Sequence, residues 1–332
     1  MLTTGFIRYA GALAALAICS ACGGAAVAPS GAALGGTYSG GMLSLNGTPV
    51  TAARANLSPL PRYATIVPDR RITTYEYIIN LYGTYASIFD YPKGTKQIGT
   101  INNVGGQGCT NVLYGYGKRT FWIVAARNQI TEYEVPHKPI KTLSISTGQP
   151  SSCAMDAGGD LAVGNLSNGD VVIFKNASGS GTVYTTPLHA EFFDGYDNQG
   201  NLFADGMINP RSGFTLIGLR KGSTKFQTIT TSNKVGFPGS VQWDGKYVTV
   251  TDQTANAMYR YSISGTTATL KGTVSLSGSG DCAQTWIVHG LVYCADSGTV
   301  GAEVFKYPAG GSPVAVFSGN FITPLGTVAA EK

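Results

Sequence analysis

From about residue 75 onward, apolar positions fall in short runs of five to seven residues, alternating or wholly apolar, bounded by Gly, Asn and Asp. That period-two spacing predicts strands, and no stretch carries the three-and-four spacing of an amphipathic helix. The clearest succession is Ser152-Cys153-Ala154-Met155-Asp156, Gly159-Asp160-Leu161-Ala162-Val163-Gly164, Asp170-Val171-Val172-Ile173-Phe174 and Thr182-Val183-Tyr184. It reads as four strands joined by tight turns.

The pattern repeats. An apolar or aromatic residue, often followed by a polar one and a turn, recurs at Phe89-Asp90-Tyr91-Pro92, Tyr133-Glu134-Val135-Pro136, Phe174-Lys175-Asn176-Ala177, Ile217-Gly218-Leu219, Tyr259-Arg260-Tyr261 and Phe305-Lys306-Tyr307-Pro308. The spacings are 44, 41, 43, 42 and 46 residues, the length of a four-stranded propeller blade. The expected fold is all-β: a six-bladed β-propeller over residues 61–332. Asp156, Asp197 and Asp244 share one place in the repeat, before a Gly-containing turn. A carboxylate there can accept backbone N–H bonds in the hairpin between first and second strands, so repetition argues for turn chemistry rather than catalysis. The first unit starts at what reads as a second strand, Glu76-Tyr77-Ile78-Ile79-Asn80-Leu81, while Pro324-Leu325-Gly326-Thr327-Val328 is surplus and resembles the strand start Pro238-Gly239-Ser240-Val241. The C-terminal strand is therefore expected to close blade one, leaving no open sheet edge there.

Asp197-Asn198-Gln199-Gly200-Asn201-Leu202-Phe203-Ala204-Asp205 resembles the NHL propeller repeat: an Asp, a Gly-Asn turn, an aliphatic-aromatic strand and a closing Ala-Asp. Cys294-Ala295-Asp296 and Thr251-Asp252 echo the closing Asp. As a repeat pattern the resemblance runs from Tyr75 to Val328, with one blade matching closely. It implies the six-bladed superfamily of NHL, TolB-like and gluconolactonase-like propellers, and no particular function.

Before the repeat, a basic Arg8 precedes an apolar run from Tyr9 to Ile18 and then Cys19-Ser20-Ala21-Cys22-Gly23-Gly24. A run this short reads as a signal peptide. Ala21 before Cys22 resembles a bacterial lipobox, although Cys19 stands where that pattern has Leu; ordinary cleavage near Ala26 or Ala28 is the alternative. The expected organisation is a lipoprotein signal over 1–22 with Cys22 acylated, a Gly/Ala-rich tether and extension over 23–60, and the propeller. The resemblance implies export and an anchor in the cell envelope, with Gly23 suggesting the outer membrane. Four cysteines remain, and an even number in an oxidising compartment suggests Cys109–Cys153 and Cys282–Cys294. The first pair is one repeat apart; the second lies symmetrically about the turn at His289-Gly290.

Charge excludes little but is informative. The 23 basic and 18 acidic residues leave a net charge of +5 with no long basic run, so nucleic acid is not an expected partner. The cysteines are scattered and His137, His189 and His289 lie near different turns without ligand spacing, which disfavours zinc. Tyr75, Tyr77, Tyr82, Tyr85, Tyr91 and Phe89 cluster in the first unit, as blade packing or as a binding patch.

Gluconolactonase-type propellers are metal-dependent hydrolases, and that resemblance implies a ligand set at the channel mouth. The matching loops carry Gln107, Asn111, Gln149, Glu191, Asp194 and Asp281, with His189 alongside, but the family's Glu-Gly-Pro and Asn-Gly motifs are missing. No nucleophile elbow, nucleotide loop or zinc-protease motif occurs. The expectation is thus a monomeric, non-catalytic binding or scaffolding protein without a cofactor, its ligand a protein, small molecule or carbohydrate. A propeller hydrolase using Ca2+ is the alternative.

Overall fold

The computed structural model describes residues 74–81, 84–110, 119–125 and 128–332. The signal, the tether, Cys22, Tyr82 and Asn111 lie outside them. Strands are numbered along the chain. One sheet runs in the order β24 (Pro324–Glu331), β1 (Thr74–Asn80), β2 (Tyr85–Tyr91) and β3 (Gln97–Asn102). A second holds β4 (Val104–Cys109), β5 (Thr120–Ala125), β6 (Gln129–Glu134) and β7 (Lys138–Ser144). A third holds β8 (Pro150–Met155), β9 (Leu161–Asn165), β10 (Val171–Phe174) and β11 (Thr182–Tyr184), with a 3-10 turn at Lys175–Ala177.

The next eight strands form a single sheet. β12 (Ala190–Tyr196), β13 (Leu202–Met207), β14 (Thr215–Leu219) and β15 (Gln227–Thr231) continue into β19 (Thr267–Ser275), β18 (Ala257–Ser264), β17 (Val248–Asp252) and β16 (Val241–Trp243). The repeat predicts two four-stranded units here. Their outermost strands, β15 and β19, pair in parallel over Thr230↔Thr267 and Thr231↔Ala268, and this short seam is what merges them. The last sheet is β20 (Cys282–Val288), β21 (Leu291–Asp296), β22 (Gly301–Lys306) and β23 (Ala315–Val316).

The sheets have a propeller-like arrangement. β24 contacts β4, β4 contacts β8, β8 contacts β12, β12 contacts β16, β17 contacts β20, and β20 returns to β24. The surplus C-terminal segment closes this circuit, as its sequence suggests, by pairing antiparallel with β1 from Thr74↔Glu331 to Asn80↔Pro324. The closure is tied down by a Lys332–Asp90 ion pair, with the Lys332 ammonium 4.5 Å from the Tyr75 ring centroid. His289 Nε2 stands 3.4 Å from Glu331 Oε1.

Hydrophobic clusters fill the wedges between neighbouring sheets, and Trp286 packs against three of them. Burial of this kind contributes roughly 25 cal/mol per Å² of apolar surface and is the main force holding the sheets together. Tyr77 and Phe89 are fully buried, with Tyr77 stacked on Phe121 and Phe89 against Phe317. Tyr91 contacts Tyr293 edge-on. These members of the aromatic cluster are therefore packing.

The repeated aspartates make the predicted turns. Asp156 Oδ1 accepts from Asp160 N, Asp197 Oδ1 from Gln199 and Asn201 N, and Asp244 Oδ1 from Lys246 and Tyr247 N. The closing Asp252 and Asp296 do another job, each collecting four backbone N–H bonds from the loops beside it.

Both predicted disulfides are present. Cys109–Cys153 joins β4 to β8, with Cα atoms 5.7 Å apart. Cys282–Cys294 lies within one hairpin, but its cysteines are not directly opposed as the symmetry argument requires. Cys282 pairs with Asp296 and Cys294 with Thr285, because the register shifts between Cys282 and Thr285. A bulge adds a residue to one strand and breaks the symmetry.

Candidate functional site

The same kind of register shift occurs near the start of β4, β8, β12, β20 and β24. Residues skipped by the pairing include Gln107, Ser151, Phe192, Gln284 and Leu325. Bulges re-aim side chains out of the sheet, and here they tie inner strands together, including strands that are not next to each other in the circuit. Gln107 Nε2 donates to the Phe192 carbonyl at 2.6 Å. Gln284 bridges two strands: its Nε2 donates to Gly108 O at 2.8 Å, and its Oε1 accepts from Thr327 N at 2.7 Å and Gly108 N at 3.2 Å. Gly106 and Gly108 are needed for this approach, since a Cβ on either would fall within 2.5 Å of a valine carbon on a neighbouring strand.

Beside these amides lies a buried acidic group formed by Glu191, Asp194 and Asp205. Ser152 Oγ, on β8, donates to the Glu191 carboxylate, 2.9 and 2.8 Å from its two oxygens. Burial raises the Glu191 pKa well above the usual carboxylate range; the nearby Asp194 charge adds to this and Ser152 offsets part. Burial likewise raises Asp205, against the backbone N–H groups of Gly239 and Phe193. For Asp194, burial pushes the pKa up to about 8, with Ser152 near enough to offset part. Ser152 is engaged by Glu191, and neither Asp194 oxygen accepts a hydrogen bond.

The sequence-predicted residues thus separate by role. Gln107 on β4 comes together with Glu191 and Asp194 on β12. Gln149 precedes β8 and is buried, its Oε1 unpaired. Asp281 belongs to a turn beside β20, where its backbone N–H bonds Asp296 and its Oδ2 accepts from Ser297 Oγ at 3.0 Å. His189 precedes β12, its N–H bonded to Met207 O.

Two members of the group carry no signal of their own in the sequence: Asp205 reads as the closing Asp of its repeat, and Ser152 as part of a strand. The available signal for Asp205 was its setting in Ala204-Asp205-Gly206, where the following Gly lets the chain pass close: a Cβ on Gly206 would lie 2.0 Å from Ala190 O.

Could this group hold a cation? Asp194 offers two bare oxygens, and Asp205 and Gln149 one each. Gln107 and Glu191 are already bonded within the protein, and Asp281 is built into its own turn. The donor set fits a cation poorly.

No protein-family model and no curated protein matches the sequence. Among solved structures, the chain is similar to one described as a nidogen/laminin complex, with a TM-score of 0.59 and 12% identity over 77% of this chain and 98% of that one. It is also similar to a functionally unknown protein from Desulfotomaculum acetoxidans DSM 771, with a TM-score of 0.50 and 11% identity over 77% of this chain and 98% of that one. At such identities the likeness is one of fold, and it places this chain with propeller-like proteins.

Proposed function

We propose that the protein is an exported, lipid-anchored six-bladed propeller that binds a partner without catalysing a reaction. The six-blade reading treats β12–β15 and β16–β19 as separate blades that share a seam of two residue pairs. Export is supported by two buried disulfides, since such bridges persist in oxidising compartments.

The observation that carries the non-catalytic reading is the internal pairing of the axial polar groups: Gln107, Gln284, Glu191 and Ser152 bond to one another's strands. The open surface lies at the rim instead. There β11 is an edge strand, and beside it runs a groove of about 650 Å³ lined by Val183, Tyr184, Pro187, Lys225 and Phe226 among threonines. Threonine hydroxyls around half-buried aromatic surface suit a protein or glycan ligand. A protein partner is the first to try, because the similar nidogen/laminin structure is itself a complex of two proteins.

The test is affinity capture from envelope extracts, repeated with V183K and F226A. Loss of a saturable ligand in both variants is expected. Turnover of a lactone or ester that depends on added Ca2+ and is lost in E191Q would overturn this reading in favour of a hydrolase. That second reading is favoured by one feature, the bare carboxylate of Asp194.

A further inference from the structure

The Cys282–Cys294 bridge does not stand alone. The two sulfurs and one carboxylate oxygen each from Asp296 and Glu303 all lie within 4.8 Å of one another. Three adjacent strands build the group: β20 brings Cys282, β21 brings Cys294 and Asp296, and β22 brings Glu303, whose register partner is Cys294. All four residues are buried.

Glu303 has a feature the fold does not explain. It is 6% exposed, its Oε1 accepts from Thr299 Oγ1 at 3.2 Å, and its Oε2 has no hydrogen-bond partner. A buried carboxylate oxygen without a donor costs free energy unless something else satisfies it. Asp296 is largely occupied by its loop: Oδ1 accepts from Asp281, Gly298 and Thr299 N, and Oδ2 from Gly280 N alone.

We propose that this group is a redox-gated metal site: once the Cys282–Cys294 bridge is reduced, the two thiolates and Glu303, with Asp296 Oδ2 as the fourth donor, bind a zinc-class divalent cation. Two sulfurs and two oxygens form a tetrahedral set of the kind zinc accepts, with metal–ligand distances of about 2.0 to 2.3 Å. Ligand atoms around such an ion stand about 3.3 to 3.8 Å apart, so the four atoms already lie in the right neighbourhood, while the two sulfurs must part from their bonded distance as the site forms. Opening the disulfide with a water-soluble phosphine breaks the S–S bond and gives two thiols, while the phosphine takes oxygen from water and becomes its oxide. Cation binding then releases the two thiol protons. While the bridge is intact its sulfurs cannot act as thiolate ligands.

The test uses the folded chain carrying C109A and C153A, so that only one bridge can be reduced. Cobalt(II) is added as a spectroscopic stand-in for zinc, before and after phosphine treatment, and circular dichroism follows the fold. The expected result is one equivalent of cobalt with a thiolate charge-transfer band in the reduced protein alone. E303Q should weaken binding by at least about tenfold, the smallest loss typical even of an outer-shell partner. Binding of equal strength in the oxidised protein, binding without the charge-transfer band, unfolding on reduction, or full affinity in E303Q would each overturn the proposal. If C109A/C153A does not fold, the same titration on the wild-type chain is compared with C282A, which should abolish the band. Retention of the band in C282A overturns the proposal.

Discussion

Glu191 fills a space that exists only because residue 164 is a glycine: a Cβ on Gly164 would lie 1.7 Å from Glu191 Oε2 and 2.4 Å from Ser152 Oγ. The contact crosses from β9 to β12, so it fixes how closely two neighbouring sheets approach. Gly164→Ala is therefore expected to destabilise the fold by about 1–3 kcal/mol, the usual cost of overpacking a core. Pairing it with Glu191→Ala, which vacates the space, should recover much of that loss. Chemical denaturation of the two single variants and the double variant checks this; strictly additive losses would mean the two residues do not share the space.

The buried Asp194 gives stability a particular pH dependence. Its folded pKa, pushed up to about 8, lies above the value of about 4 for an exposed Asp, so the folded state holds a proton that the unfolded state releases. The stabilisation is complete below about pH 4 and is lost as the pH rises through about 8. Asp194→Asn keeps the neutral shape and removes the titration. The Tm of D194N relative to wild type should therefore rise steadily between pH 4 and 8. A difference that stays flat across that range would show that Asp194 titrates normally or is held ionised by a bound cation.

Much of this architecture was legible in the chain because the repeat writes each blade's rules several times over. Recurrence of Asp156, Asp197 and Asp244 identified turn carboxylates without a structure, and one repeat length placed Cys109 and Cys153 on adjacent inner strands. What was not legible depends on exceptions to the repeat. The bulges at Gln107, Phe192 and Gln284 are shifts of one or two residues with no compositional signature, yet they decide which side chains leave the sheet. Asp205 looks like Asp252 and Asp296 in sequence but, besides its bond from Gly239 N, it stands with Glu191 and Asp194. The seam between β15 and β19 is short backbone pairing, which leaves no residue preference to read.

The two disulfides should differ in weight. Cys109–Cys153 spans 44 residues and Cys282–Cys294 spans 12. Because a cross-link restricts the unfolded chain more when its loop is longer, removing the first is expected to cost about 4 kcal/mol and the second about 3 kcal/mol. Paired Cys→Ala variants measured by denaturant unfolding check the order. A larger loss for the shorter loop would mean that native packing around Cys282, rather than loop entropy, sets its contribution.

The ring closure makes the sharpest prediction. β24 supplies seven register pairs to β1 and also touches β4 and β20, so it ties the first sheet to its neighbours. Gln284 reinforces this by holding Thr327 N and both backbone groups of Gly108 at once. Gln284→Ala would leave those buried groups unpaired, at about 1–3 kcal/mol for each group that water cannot reach. Deleting residues 324–332 goes further: it exposes the edge of β1, a strand whose Ile78 and Ile79 are fully buried, and an open apolar edge recruits other chains. The truncated protein is expected to self-associate and to lose a cooperative thermal transition. A synthetic peptide with the 324–332 sequence should restore both properties in trans by adding itself as the missing strand. A truncated chain that stays monomeric in light scattering with an unchanged Tm would show that the sheets hold their circuit without β24, and that the C-terminal strand only covers an edge.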